Sequence, residues 1–140
     1  MGGARQLAER YYELFAAGDL DGAKALYADD CITVTPVGNL DNAAHRAFGE
    51  AFRNAMPDSR MEVARSVDAG DEVCILGHFK GTHQGDLVSP DGTIAASGRT
   101  LDLAFADYFR VADGKIAEQE TVFDQMTLLG QLGALGPPPS

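Results

Sequence analysis

Residues 99–126 read RTLDLAFADYFRVADGKIAEQETVFDQM, and their period decides the fold. Leu101, Leu103, Phe105, Asp107, Phe109 and Val111 fall on alternate positions, so a strand places all six side chains on one face of a sheet. The opposite set, Asp102, Ala104, Ala106, Tyr108 and Arg110, is the more polar one. Asp113-Gly114 signals a tight hairpin, the glycine supplying the positive φ such a turn needs, and a second strand is expected from 115 to 126. Working back, alternating runs predict further strands at 60–69 and 72–84, broken by Gly70-Asp71. A looser loop runs through Pro90-Asp91-Gly92.

Upstream the period changes. Leu7, Tyr11, Leu14 and Phe15 recur at helical spacing within 4–17, and Gly18 ends that helix. Asp19 or Asp21 caps a short second helix that runs to Tyr27. Cys31–Thr35 is β-branched and stops at Pro36, a short strand. A third helix opens at Asn39 or Asp41, carries Ala44, Phe48, Ala51, Phe52 and Ala55 on one face, and ends before Pro57-Asp58. Helices followed by an antiparallel meander make an α+β domain.

The chain has 140 residues, 45% hydrophobic and 23% charged, with a formal net charge of −10. One domain over 1–132 is expected, with 133–140, GALGPPPS, as a flexible tail. The negative charge disfavours nucleic acid and anionic membranes, both of which demand basic patches. No apolar run has the length of a membrane span or a signal peptide, and Cys31 and Cys74 read as buried reduced thiols, so a cytoplasmic location is expected. No residue spacing suggests a metal site or a bound cofactor.

Asp107 is the residue that breaks the pattern. An ionised carboxylate on an otherwise apolar face is unfavourable, so the group is either paired or protonated at neutral pH. A neutral acid can donate a hydrogen bond to a developing oxyanion; the alternative is a carboxyl satisfied by backbone or water. His78 alternates with Leu76, Lys80 and Thr82 and is the first candidate base. Asp124 alternates with Val122 and Met126 and is read either as a second pocket acid or as a cap at the chain end. Tyr11 and Tyr12 lie on the helical stripe. His83 ends its strand rather than binding metal, and His45 falls on the polar, solvated side of the third helix.

The chain resembles the nuclear transport factor 2-like superfamily. Arg10-Tyr11-Tyr12-Glu13-Leu14, Gly18-Asp19-Leu20, Tyr27-Ala28-Asp29-Asp30 and Pro36-Val37-Gly38 are similar to the start of ketosteroid isomerase. Gly81-Thr82-His83-Gln84-Gly85, Arg110–Ile116 and Gln131-Leu132-Gly133 are similar to the SnoaL-like polyketide cyclases. The resemblance implies a cone-shaped, curved, mixed or antiparallel sheet wrapped by three N-terminal helices, and a homodimer. It also implies a pocket, with Phe15, Thr35, Phe52, Phe105, Phe109, Thr121 and Phe123 expected around it. The isomerase match gives Tyr11 and Asp107 as its oxyanion-hole pair, one member of which is an acid kept protonated by apolar surroundings. The isomerase base position holds Thr35, the cyclase catalytic aspartate position holds Thr121, and the cyclase strand histidine falls at Asp107.

Two functions follow. One is a cofactor-independent acid–base enzyme for a small hydrophobic carbonyl compound, catalysing aldol-type cyclisation, isomerisation or dehydration. The other is a non-catalytic carrier of a polyketide-, steroid- or isoprenoid-like ligand, which the two threonines favour.

Overall fold

The computed structural model describes residues 3–89 and 92–135. Helix α1 spans Ala4–Ala16, α2 Leu20–Lys24 and α3 Asn42–Ala55, with α4, Gln125–Gln131, near the other end of the chain. Strands β1 (Thr33–Thr35), β2 (Gly38–Leu40), β3 (Arg60–Asp68), β4 (Glu72–Thr82), β7 (Thr100–Ala112) and β8 (Lys115–Phe123) form one sheet in the order β2-β1-β8-β7-β4-β3. Among the described residues, β1 and β8 are the only neighbouring strands of this sheet that pair in parallel; the others are antiparallel. The expected curved sheet with helices on one face is therefore present.

Local chemistry sets the ends of these elements. Asp19 caps α2 by accepting from Gly22 N at 2.9 Å, and Asp41 caps α3 by accepting from Ala44 N at 2.8 Å. Asp113 and Gly114 turn β7 into β8 with φ of 53° and 75°, the two positive values of the tight hairpin. Gly77 on β4 has a packing reason. A Cβ there would lie 2.9 Å from the Phe105 ring and 2.5 Å from the Glu62 carbonyl, so only glycine lets that ring settle against the sheet. Beside it, the register of β3 on β4 shifts between Val63 and Arg65, which bends the edge strand.

Three short elements carry no period long enough to read. These are β2 and the pair β5 (Leu87–Ser89) and β6 (Gly92–Ile94), a hairpin where a loose loop was expected. Its Leu87 and Ile94 pack into the cluster of Ala55, Met56, Leu101, Leu103, Leu128 and Leu132. The expected strand over 115–126 stops at Phe123, because Asp124 caps α4 instead. Its Oδ1 accepts from Met126 N at 2.9 Å and its Oδ2 from Thr127 Oγ1 at 3.0 Å. Of the expected tail, residues 136–140 lie outside the described residues.

Where β8 leaves the sheet, a side chain takes over its ladder. Gln131 Oε1 accepts from Asp102 N at 2.8 Å and Nε2 donates to Asp102 O at 2.9 Å, filling both backbone groups of β7 beyond its last rung with β8.

Two apolar clusters flank the middle of the sheet. One gathers Tyr11, Tyr12, Tyr27, Cys31, Val73, Ile75, Phe109 and Ile116; the other is the leucine-rich cluster beside α4. Phe79 and Phe123 pack against both, and the space between the clusters holds the site. Cys31 is buried as expected, but Cys74 is exposed on the outer face of β4, so only one of the two thiols is a core residue. Among the described residues, no helix is long and apolar enough to cross a membrane.

Candidate active site

A hollow of about 90 Å³ lies between the inner face of the sheet and helices α1 and α3. Its floor comes from Leu103, Phe105 and Asp107 of β7 and Gln119, Thr121 and Phe123 of β8. The walls come from Tyr11 and Phe15 of α1 and from His45, Phe48, Gly49 and Phe52 of α3, with Met61 and Phe79 closing the β3–β4 side. The floor is dictated by alternation. Leu101, Leu103, Phe105, Asp107, Phe109 and Val111 are all buried, while Asp102 and Ala104 face out. The wall follows from helical spacing, since His45, Phe48, Gly49 and Phe52 stand at i, i+3, i+4 and i+7 on one stripe of α3.

Asp107 is 4% exposed, and burial pushes its carboxyl above the ordinary carboxylate value. Hydrogen bonds with Thr121, Tyr12 and Gln119 pull the other way without cancelling the burial. Tyr12 donates to Oδ2 at 2.5 Å, and Thr121 is the cross-strand partner of Asp107. Gln119 is turned by Tyr27, whose hydroxyl donates to Oε1 at 2.5 Å, leaving Nε2 to reach Asp107 Oδ1 at a long 3.5 Å. Tyr12 thus engages Oδ2 closely, while the Gln119 contact to Oδ1 is long.

His45 is the second titratable group in the hollow. Its ring stacks on Tyr11 at 5.8 Å between centroids and meets the edge of Tyr27 at 5.2 Å. Burial lowers its pKa from 6.5 to about 4, so the imidazole is neutral at pH 7. The Tyr11 hydroxyl lies 3.5 Å from His45 Nε2, and burial keeps the phenols of Tyr11 and Tyr12 protonated by raising both above the usual tyrosine value. A carboxyl shifted upward on the floor and an imidazole shifted downward on the wall share one apolar chamber.

The placement of the expected site residues is mixed. Tyr11, Asp107, Phe15, Phe52, Phe105, Thr121 and Phe123 all line the hollow. Phe109 does not; it is fully buried in the core below Tyr12. Thr35 also stays outside, its hydroxyl donating to Gly38 O at 2.7 Å and accepting from Val37 N at 3.1 Å in the β1–β2 turn. His78 is on the wrong face. It belongs to the outward set of β4 and pairs with Asp102 at 2.7 Å in the open, so it cannot reach a molecule in the hollow. Asp124 is exposed and occupied as the α4 cap, which leaves the capping alternative and removes the pocket acid.

Two polar residues of the hollow, His45 and Gln119, and the phenol partner of its carboxyl depart from the sequence expectation. Phe48 and Phe52 at i+3 and i+7 mark the His45 stripe of α3 as the inward one, not the solvated one. Tyr12, rather than Tyr11, is the phenol that bonds Asp107. Gln119 sits two residues before Thr121, so alternation places it on the same face. His83 is fully buried, with Nδ1 2.8 Å from Ser97 Oγ, which fits a strand-ending role. Among the described residues, no three His, Cys, Asp or Glu side chains are grouped to hold a metal ion.

The family model described as SnoaL-like polyketide cyclase matches residues 5–132. Among solved structures, AclR of Streptomyces galilaeus, a hydroxylase candidate, superposes with a TM-score of 0.82 at 23% identity, covering 98% of this chain and 89% of its own. IdmH of Streptomyces antibioticus, a polyketide cyclase candidate, gives 0.77 at 26% identity over 93% of this chain and 98% of its own. A Catenulispora acidiphila protein with a ketosteroid isomerase-like fold, in complex with trimethylamine, gives 0.73 at 14% identity over 94% and 97% of the two chains.

Proposed function

The chain belongs to the SnoaL-like polyketide cyclase family, and we propose that it is a cofactor-independent acid–base enzyme acting on a small hydrophobic carbonyl compound by aldol-type cyclisation, isomerisation or dehydration. The observation that carries this reading is a carboxyl shifted upward and an imidazole shifted downward on two walls of one apolar hollow. Groups pushed apart in this way are poised as acid and base.

Asp107 donates its proton as a hydrogen bond to the substrate carbonyl oxygen, with the Tyr11 hydroxyl as a second donor, so negative charge developing there is stabilised in a water-poor site. His45 Nε2 takes the proton from the carbon next to that carbonyl, and the enolate-like species then attacks, reprotonates or eliminates according to the substrate. His45 replaces His78 in the base role, and neither threonine takes part in proton transfer. The aromatic walls favour ringed or isoprenoid-like molecules over charged ones.

The test is solvent deuterium uptake by a panel of one- to three-ring enolisable ketones incubated with the protein in heavy water. Protein-dependent labelling next to the carbonyl is the expected result. Ketones that bind without any labelling above buffer would replace the enzyme with the carrier reading.

The same proposal includes a homodimer through the outer face of the sheet. A row of Leu76, Ala106 and Val122 runs across β4, β7 and β8, with Leu76 43% and Val122 54% exposed. Polar pairs rim it, including His78–Asp102 and Arg110–Glu118, an apolar centre with a polar border. Sedimentation equilibrium should return about twice the chain mass for the native protein and a monomer for Val122→Lys. A monomeric native protein would remove the dimer.

A further inference from the structure

Tyr27 is tied by its backbone to the strand that carries Gln119. It forms a parallel bridge with Ile116 of β8, where Ile116 N donates to Leu26 O and Ala28 N donates to Ile116 O, each at 2.9 Å. Gln119 follows three residues along β8, and its own backbone pairs with Phe109 of β7 on one side and Thr33 of β1 on the other. Both residues are 4% exposed. The Tyr27 ring packs against Tyr11 and His45, at 5.6 and 5.2 Å between centroids. Burial holds its phenol well above the ordinary tyrosine value, so the hydroxyl keeps its one hydrogen, and that hydrogen goes to Gln119 Oε1.

With Oε1 taken, the amide turns Nε2 away from Tyr27. Nε2 carries two hydrogens. One approaches Asp107 Oδ1 at a long 3.5 Å, and the other meets no acceptor among the described residues, although Gln119 lines the hollow. A buried N–H without an acceptor is unfavourable, and a molecule in the hollow can bring the acceptor it lacks. We propose that Gln119 is a catalytic residue, donating through Nε2 to the substrate carbonyl oxygen beside Asp107, and that Tyr27 is the positioning residue that aims it. The reversed amide would set Oε1 against Asp107, where it would compete with the substrate for the carboxyl hydrogen. Donation by Tyr27 therefore keeps a donor, rather than an acceptor, next to the reacting oxygen. An N–H fixed in advance at that place stabilises the charge that develops there. The inference rests on the carbonyl chemistry proposed above and extends it to two further side chains.

The readout is the infrared carbonyl band of ¹³C=O-labelled 2-tetralone, a two-ring enolisable ketone, bound to the full chain. Each donor on the oxygen lowers that band, so Gln119→Met should raise it relative to the native complex. Tyr27→Phe should shift it the same way, although Tyr27 is not among the residues lining the hollow. Deuteration of the ketone should slow about tenfold in either variant, the scale of one neutral hydrogen bond. A band left unchanged by either substitution overturns the proposal. The amide itself is read in the ligand-free native chain, which decides the matter even if a variant does not fold or the ketone does not bind. Nuclear Overhauser contacts of the Gln119 side-chain N–H hydrogens stronger to Asp107 than to the Tyr27 ring support the proposal, and the reverse order overturns it. A band raised in both variants without deuterium uptake by the native protein would support the donor and its aim while removing the base chemistry.

Discussion

Asp107→Ala lowers the rate of ketone deuteration by about 10²–10³-fold, the scale of losing one preorganised oxyanion donor, whereas Asp107→Asn stays within about tenfold of the native rate. The difference arises because Asn keeps an N–H where the carboxyl keeps its O–H and still accepts from Tyr12, whose hydroxyl bonds Oδ2 at 2.5 Å. Equal losses in both variants would exclude the donor role. The same substitution has a stability signature. Burial raises the folded-state pKa of Asp107 above that of the unfolded chain, so the benefit of the neutral carboxyl is fully present below about pH 4. It is lost as pH rises through the folded-state pKa. The urea midpoint of the native chain relative to that of Asp107→Asn should therefore fall as pH rises over that window, His45 contributing equally to both. A difference that does not change with pH would place the carboxyl in an ordinary, hydrated setting.

His45→Gln has the second large effect. Loss of the base lowers deuteration by about 10²–10⁴-fold, while affinity for the ketone, followed by ligand-induced shifts in the protein spectrum, changes little. The pH dependence of stability runs opposite to that of Asp107. His45 in the fold titrates at about 4 and in the unfolded chain near its ordinary 6.5, so between those values the unfolded chain takes up a proton that the folded chain refuses. Stability is present above about pH 6.5 and falls as pH drops through about 4, by up to about 3 kcal/mol. His45→Gln should lack this acid-side loss. If it unfolds with the same acid profile as the native chain, His45 is not buried as described. If it retains the native rate, the proton goes elsewhere.

Much of this site can be read from the chain, and the unread part has physical causes. Asp107 was legible because strand alternation is strict. Five apolar partners on its face leave a carboxyl nowhere else to be, and the outward partners Asp102 and Arg110 confirm the side. His78 was legible by the same rule and was nonetheless misassigned: its set of Leu76, Lys80 and Thr82 is the solvent face of β4, opposite Val73 and Ile75. On helices the rule is softer. Ala44, Phe48 and Phe52 and the alternative His45, Phe48 and Phe52 differ by one step of 100°, and an alanine competes with a histidine for the inward place on hydrophobicity alone. Tyr11 and Tyr12 pose the same problem, since both are buried and only the register of α1 on β7 decides which one meets the carboxyl. Asp124 extends a plausible strand pattern, and what ends β8 is its competing power to cap Met126 and Thr127. The three-residue strands β2, β5 and β6 are too short to show any period.

The Gln131 side chain, standing in for the missing rung beside Asp102, divides the chamber into two regimes of adaptability. At the Asp107 end each polar neighbour is bonded to another, so a change of one residue disturbs the whole constellation. At the Leu103 end the backing is Leu128 and Leu132, held by a helix that clasps the strand through one amide. Exchanging those leucines for smaller or larger residues would resize the chamber without unzipping its floor. A lineage could thus shift from one ring system to another by editing its last helix and leave the proton-handling apparatus as it stands.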